Sequence, residues 1–164
     1  MDDKQRTFSS NILLVTICCR EKDRSAELLP AIRRYRSDRI SRMAELAVHT
    51  DLPLVILSGL YGLIEAEEPI PYYDRLMSES DIPRIAALSA EFLKNRLAAG
   101  VVFCLPDPEI DPHVKPYLKS LEEACATAGV GLRVFLLPPY PRPEEIQSVF
   151  GRNDISANGN YAGR

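Results

Sequence analysis

Four short runs of apolar and β-branched residues, spaced so that helices fit between most of them, constrain this chain more than any other feature. They are Ile12-Leu13-Leu14-Val15-Thr16-Ile17-Cys18, Leu54-Val55-Ile56-Leu57, Val101-Val102-Phe103-Cys104-Leu105 and Leu132-Arg133-Val134-Phe135-Leu136-Leu137. The first of them lacks the alternation of a strand with one wet face and reads as a strand buried on both faces. Segments of helical period lie between most of the runs. That combination predicts an α/β fold in which helices cover a parallel sheet.

The helix boundaries are written in capping and breaking residues. Ser37 is placed to cap a first helix that carries Ile40, Met43, Ala44 and Ala47 on one face, and Pro53 marks entry to the second strand. Ser80 or Asp81 caps a second helix with Pro83 in its first turn, an apolar stripe of Ile85, Phe92, Leu93 and Leu97, and Gly100 as its stop. A third helix is expected over 114–128 with Gly129 after it, and a fourth near Pro143 with Ile146, Val149 and Phe150. The expected organisation is a single domain over 1–152 and a flexible tail over 153–164. Residues 58–79 show no period, and a connection that long inside a compact domain asks for a functional reason.

Charge and cysteine content exclude several classes. In 164 residues, 20 Lys and Arg stand against 23 Asp and Glu, a net charge of -3, so no overall field favours wrapping nucleic acid or coating an anionic membrane. Any such binding has to be local. The apolar runs fall far short of the ~20 residues that cross a bilayer, and the start Met1-Asp2-Asp3-Lys4-Gln5-Arg6 has no apolar core, so the expected location is the cytoplasm, with no membrane partner. Cys18, Cys19, Cys104 and Cys125 read as reduced thiols. There is no Cys-x-x-Cys pair, and His49 and His113 lie far apart, so neither a metal nor another cofactor is expected. His49 reads as a residue near a helix carboxyl end.

In a parallel sheet the ligand site lies beyond the carboxyl ends of the strands, where loops diverge and helix amino termini point inward. Those ends offer Cys18-Cys19-Arg20-Glu21-Lys22, Ser58-Gly59-Leu60-Tyr61-Gly62, Pro106-Asp107 and Pro138-Pro139-Tyr140. Gly59 and Gly62 allow a positive φ or a close approach, Ser58 supplies a hydroxyl, and Tyr61 a stacking face, which suits a planar anion. A tight turn whose tyrosine packs on the core is the structural alternative. Arg20, Lys22, Arg24, Arg33, Arg34, Arg36, Arg39 and Arg42 concentrate between the first strand and first helix, while Glu65, Glu67, Glu68, Asp74, Glu79 and Asp81 load the next loop. Arg20, Lys22 and Arg36 are the best phosphate candidates, being nearest the strand end or the helix cap. For catalysis, a carboxylate that orients water against an N-glycosidic bond points to Asp107, then Asp74, with His113 to protonate the leaving base. Asp107 in Pro-Asp-Pro is equally a natural turn residue.

The segment Ser58-Gly59-Leu60-Tyr61-Gly62, followed by Pro71-Tyr72, resembles the Ser-Gly-Leu-Tyr-Gly motif and downstream Pro-Tyr of the bacterial YaaA family of peroxide-stress proteins. It is similar, too, to a group of small bacterial and phage domains with a Ser-Ala-Lys-x-Gly-Leu form of this loop. In that group the first strand ends in Cys or Pro near a Lys, and a Leu-Tyr-x-Ser-like segment opens the next helix; Cys18, Cys19, Arg20 and Lys22, and Tyr35, Arg36 and Ser37, stand in those places. The resemblance spans about residues 11 to 77. It implies a fold like that of the uracil-DNA glycosylase superfamily, a three-layer sandwich with a four-stranded parallel sheet ordered 2-1-3-4, and an association with nucleobases or DNA.

Three functional expectations follow. In the first, a nucleobase, nucleotide or DNA strand end stacks on Tyr61 or Tyr72 while Arg20, Lys22 and Arg36 hold phosphate. In the second, the domain is an N-glycosidase or base-transferring enzyme that works through Asp107 or Asp74 with Ser58 holding base or sugar. In the third, it is a non-catalytic protein-interaction domain.

Overall fold

The computed structural model describes residues 11–150, so the expected flexible tail over 153–164 lies outside the described residues. In chain order the elements are β1 (Ile12–Ile17), β2 (Leu29–Pro30), α1 (Ala31–Arg34), α2 (Asp38–Thr50), β3 (Leu54–Ser58), β4 (Gly62–Glu65) and β5 (Pro69–Ile70). There follow α3 (Ile82–Asn95), β6 (Gly100–Pro106), α4 (Lys115–Ala128), β7 (Gly131–Leu137) and α5 (Pro143–Val149). Short 3-10 turns, Glu79–Asp81 and Pro112–Val114, lead into α3 and α4.

The fold is α/β, but the sheet is mixed and has five strands in the order β4-β3-β1-β6-β7, where four parallel strands were expected. β1 runs parallel to β3 and β6, and β6 parallel to β7. The extra strand, β4, returns antiparallel along β3 with Ser58 opposite Gly62 and Leu57 opposite Leu63. It comes from the stretch that showed no period in the sequence. Gly62 has a φ of 73°, a conformation that a side chain disfavours, and this lets the chain reverse within Gly59–Tyr61. A two-stranded antiparallel pair, β2 with β5, closes the same region.

Alternate residues of β1 point to opposite faces, and both faces are apolar. Leu13, Val15 and Ile17 join Phe103 and Leu105 of β6 in a core that takes in Ile85 and Leu93 of α3 and Leu121 and Ala124 of α4. Ile12 and Leu14 join Val102 and Cys104 in a second core with Met43, Leu46 and Ala47 of α2 and Ile146 of α5. Burying a side chain such as Phe103 contributes roughly 1.5–3 kcal/mol of transfer free energy, which explains why the runs are read so easily in the sequence.

Capping decides the helix ends, with two departures from expectation. Ser37 caps α2, its Oγ accepting from the Arg39 amide at 3.2 Å. Asp81, one of the two residues expected there, stands at the N-cap of α3, and its carboxylate closes a capping box with Ser78 at the 3-10 turn ahead of the helix. Leu97 lies beyond the end of α3 at a φ of 53° and is 77% exposed, so it is no part of the apolar stripe. Gly100 opens β6 instead of stopping the helix. Among the described residues no helix is long and apolar enough to cross a membrane.

Candidate functional site

β1 and β6 end side by side, and the segments that leave them enclose a cavity of about 470 Å³. Cys18, Cys19, Arg20 and Lys22 come from the end of β1. Asp74, Arg75 and Leu76 come from the segment after β5, Pro106 from the end of β6, and Asp111, His113 and Val114 from the turn after it. Ile17 of β1, Arg39 of α2 and Tyr117 of α4 complete the lining.

Arg39 builds the floor. Its guanidinium donates to the Ile17 carbonyl at 2.6 Å, to Thr16 Oγ1 at 2.8 Å and to the Cys18 carbonyl at 3.2 Å. Thr16 in turn donates to the Cys104 carbonyl at 2.8 Å, which ties β1 to β6 under the cavity. Burial lowers the Arg39 pKa, since desolvation disfavours the charge. Arg39 therefore fixes the strand end through three hydrogen bonds to β1 and the residue after it.

Lys22 and Arg20 are different. The Lys22 ammonium lies 4.8 Å from the ring centre of Tyr73 and 5.8 Å from that of Tyr35, within the range of a cation–π attraction. Its further contact is a long hydrogen bond of 3.4 Å to the Arg20 carbonyl. Among the described residues neither Arg20 nor Lys22 has a carboxylate partner, whereas Arg36 pairs with Asp23 at 2.7 Å and Arg75 with Asp81. Hydrogen bonds from Ser25 and Arg36 hold the Asp23 carboxyl well below the usual carboxylate range.

The tyrosines that seat Lys22 are held by the Ser-Gly-Leu-Tyr-Gly loop. Ser58, fully buried at the end of β3, shares a hydrogen bond of 2.8 Å with the Tyr73 hydroxyl, which also bonds the Tyr35 hydroxyl. The Ser58 Oγ accepts from the amides of Leu60 and Tyr61 at 3.1 and 3.2 Å, closing the turn on itself. Tyr61 meets Tyr73 edge-on with ring centres 5.4 Å apart. Burial raises the pKa of Tyr35, Tyr73 and Tyr117, so these hydroxyls stay neutral. The loop thus acts behind the cavity wall, not inside it.

Gly59 serves the same scaffold. A Cβ there would lie 2.8 Å from the Met77 Cβ and 3.1 Å from the Tyr117 hydroxyl, so the close approach is to the segment that forms the wall. Arg84 donates to the Leu60 carbonyl at 2.7 Å and the Gly59 carbonyl at 3.2 Å while pairing with Asp81, and Arg75 binds the same Asp81. Burial pushes the Cys19 thiol up to about 11, with Arg39 partly opposing it. Cys18 contacts the Tyr117 hydroxyl at 3.5 Å.

Of the residues singled out in the sequence, Cys19, Arg20, Lys22, Asp74 and His113 meet at the cavity. Tyr35, Ser58, Gly59 and Tyr61 stand in the layer behind it. Arg36 is engaged with Asp23, Ser37 is a helix cap, Gly62 is a turn residue, and Tyr72 does not line the cavity. Asp107 accepts from the Glu109 amide at 2.9 Å in its own turn and borders a separate hollow with Lys115, Lys119 and Leu136. Its place at the cavity is taken by Asp111, whose carboxylate accepts from the His113 amide at 3.2 Å.

The sequence reading missed Arg39, Tyr73, Arg75, Asp111 and Tyr117 as site residues. Tyr73 follows the Pro71-Tyr72 pair directly and could have been found there; nothing local distinguishes Tyr117 from a core tyrosine of α4. Arg34, counted in the basic cluster, is fully buried and donates to the carbonyls of Asp23, Ser25, Glu27 and Ile70. It is a strut of the loop between β1 and α2. Among the described residues no group of His, Cys, Asp and Glu could hold a metal ion. No family model matches the chain, and comparison with curated proteins and with solved structures returned no match.

Proposed function

We propose that this domain binds a phosphate-bearing nucleotide ligand, free or within nucleic acid, in the cavity at the end of β1. The observation that carries the reading is the pair Arg20 and Lys22, two cations at the cavity with no carboxylate partner among the described residues, one of them seated over tyrosine rings. Cations left uncommitted in a concave site favour an anion, and phosphate takes charge-assisted bonds from both Arg and Lys. The likeness of Ser58–Gly62 to the YaaA loop, and the association with nucleobases or DNA that this resemblance implies through its fold, support the nucleotide part. On this reading Ser58 and Tyr61 hold the wall, and phosphate falls to Arg20 and Lys22 without Arg36.

Equilibrium binding of nucleoside monophosphates and of single-stranded DNA across a salt series tests it. Affinity should fall as salt rises, and Lys22→Ala or Arg20→Ala should weaken binding about tenfold, the size of one charge-assisted contact, while Arg36→Ala changes little. Binding that ignores both salt and Lys22→Ala rejects the proposal.

A second reading, hydrolysis of an N-glycosidic bond, rests on Asp74 and His113 lining the same cavity. Asp74 would orient a water and accept its proton as the water oxygen bonds to the anomeric carbon. The carbon–nitrogen bond would break with its electron pair going to the base, and His113 would supply the proton to the leaving nitrogen. Release of free base from nucleosides or modified DNA, followed by mass detection, should disappear in Asp74→Asn and persist in Asp107→Asn. No release from any substrate removes this reading and leaves the binding one intact.

A further inference from the structure

The charge and size of the cavity restrict what can occupy it. At about 470 Å³ it falls toward the lower part of the ~300–1,000 Å³ range in which single small ligands bind. Its four cations are not equivalent. Arg39 is held by the strand-end carbonyls and Arg75 by Asp81, whereas Arg20 and Lys22 have no carboxylate partner among the described residues and are the cations best placed for an incoming anion. Two carboxylates, Asp74 and Asp111, line the same space. They repel any second phosphate brought close to the first, because like charges are disfavoured in a partly desolvated site. A strand passing through would carry a phosphate on each side of the bound nucleotide, and a cavity of this size would hold the second one together with both carboxylates. A nucleotide with phosphate at one end places that group on Arg20 and Lys22 and offers its hydroxyls or base donors to the acids.

Building on the nucleotide reading above, we infer that the cavity takes a terminal nucleotide bearing a phosphate monoester, either free or at the end of a strand, and excludes internal nucleotides. The two carboxylates act as the element that rejects a continuous strand, and the net charge of -3 adds no overall field in its favour.

The experiment compares four probes at one salt concentration. They are nucleoside monophosphates of the four bases, a short single strand with a terminal phosphate at either end, the same strand with free hydroxyls at both ends, and its covalently closed circle. The monophosphates and the phosphorylated strand should bind, with the hydroxyl-ended strand and the circle weaker by about tenfold or more. Replacement of both acids, Asp74→Asn with Asp111→Asn, should narrow the gap between the circle and the phosphorylated strand. Two separate results overturn the inference. A circle that binds the intact protein as tightly as the phosphorylated strand refutes end selection but leaves nucleic-acid binding in place. Failure of all four probes to bind refutes the nucleotide reading itself, and the inference with it.

Discussion

The loops that follow β1 and β3 leave neighbouring strands at the same end of the sheet, yet they are built on opposite principles. The loop after β3 is saturated: Ser58 is buried and bonded to Tyr73, Leu60 and Tyr61, Gly59 lies under Met77, and Arg84 occupies its carbonyls. After β1, Arg34 and Arg39 satisfy the backbone from inside, and Arg20 and Lys22 are left over. The loop with the most recognisable residues is therefore the support, and the loop with the plainest charged residues holds the exposed chemistry. A short motif can mark a site by shaping the wall that another segment uses.

The comparison breaks most sharply at Arg34. Arg34→Leu removes the donor to the carbonyls of Asp23, Ser25 and Glu27 and to the buried carbonyl of Ile70, and the expected loss is about 3 kcal/mol in denaturant unfolding. A loss under about 1 kcal/mol would mean that the loop after β1 holds its shape without an internal strut.

On the other loop, Gly62→Ala imposes a side chain at a φ of 73° and brings its Cβ to 3.1 Å from the Leu88 Cβ. The expected cost is about 1–2 kcal/mol, read as a fall in thermal midpoint. A neutral outcome would show that the β3–β4 reversal tolerates a residue other than glycine.

The smallest expected effect is chemical. With its thiol pushed up to about 11 by burial, Cys19 is protonated at neutral pH and becomes the reactive thiolate only as pH approaches that value. Alkylation followed by peptide mass should be slower at Cys19 than in a free cysteine peptide at neutral pH and rise steeply above pH ~9. Rapid labelling at pH ~7 would instead place an activated thiol among the cations of the β1 loop, and sharpen the contrast between the two loops in a different direction.

How far the sequence could be read depends on what each residue answers to. The cap at Ser37 and the αL stop at Gly129 were legible because a helix end is satisfied within a few residues. Leu97 and Gly100 were misread because periodicity continues past the point where α3 ends and the chain turns into β6. β4 stayed hidden because its four residues carry no pattern of their own, and only the exposed edge of β3 gives them a ladder to join. In the sequence Asp107 is the candidate carboxylate and Asp111 only a turn residue, though both have a proline next in the chain and both satisfy a neighbouring amide; that Asp111 faces the cavity depends on how the turn after β6 folds back.

By itself the sequence determined that apolar strands alternate with helices, that β1 is buried on both faces, and that glycines, a serine and basic residues gather at the strand ends. These follow from local propensity and from the hydrophobic effect, which act on each segment wherever it lies. Only the tertiary structure decided which cations are consumed and which are left over. Arg34, Arg36 and Arg39 look like Arg20 in the chain, and they differ because carbonyls and a carboxylate from other segments reach them first. That sorting is a matter of distance between groups far apart in sequence, and a one-dimensional pattern carries no such distances.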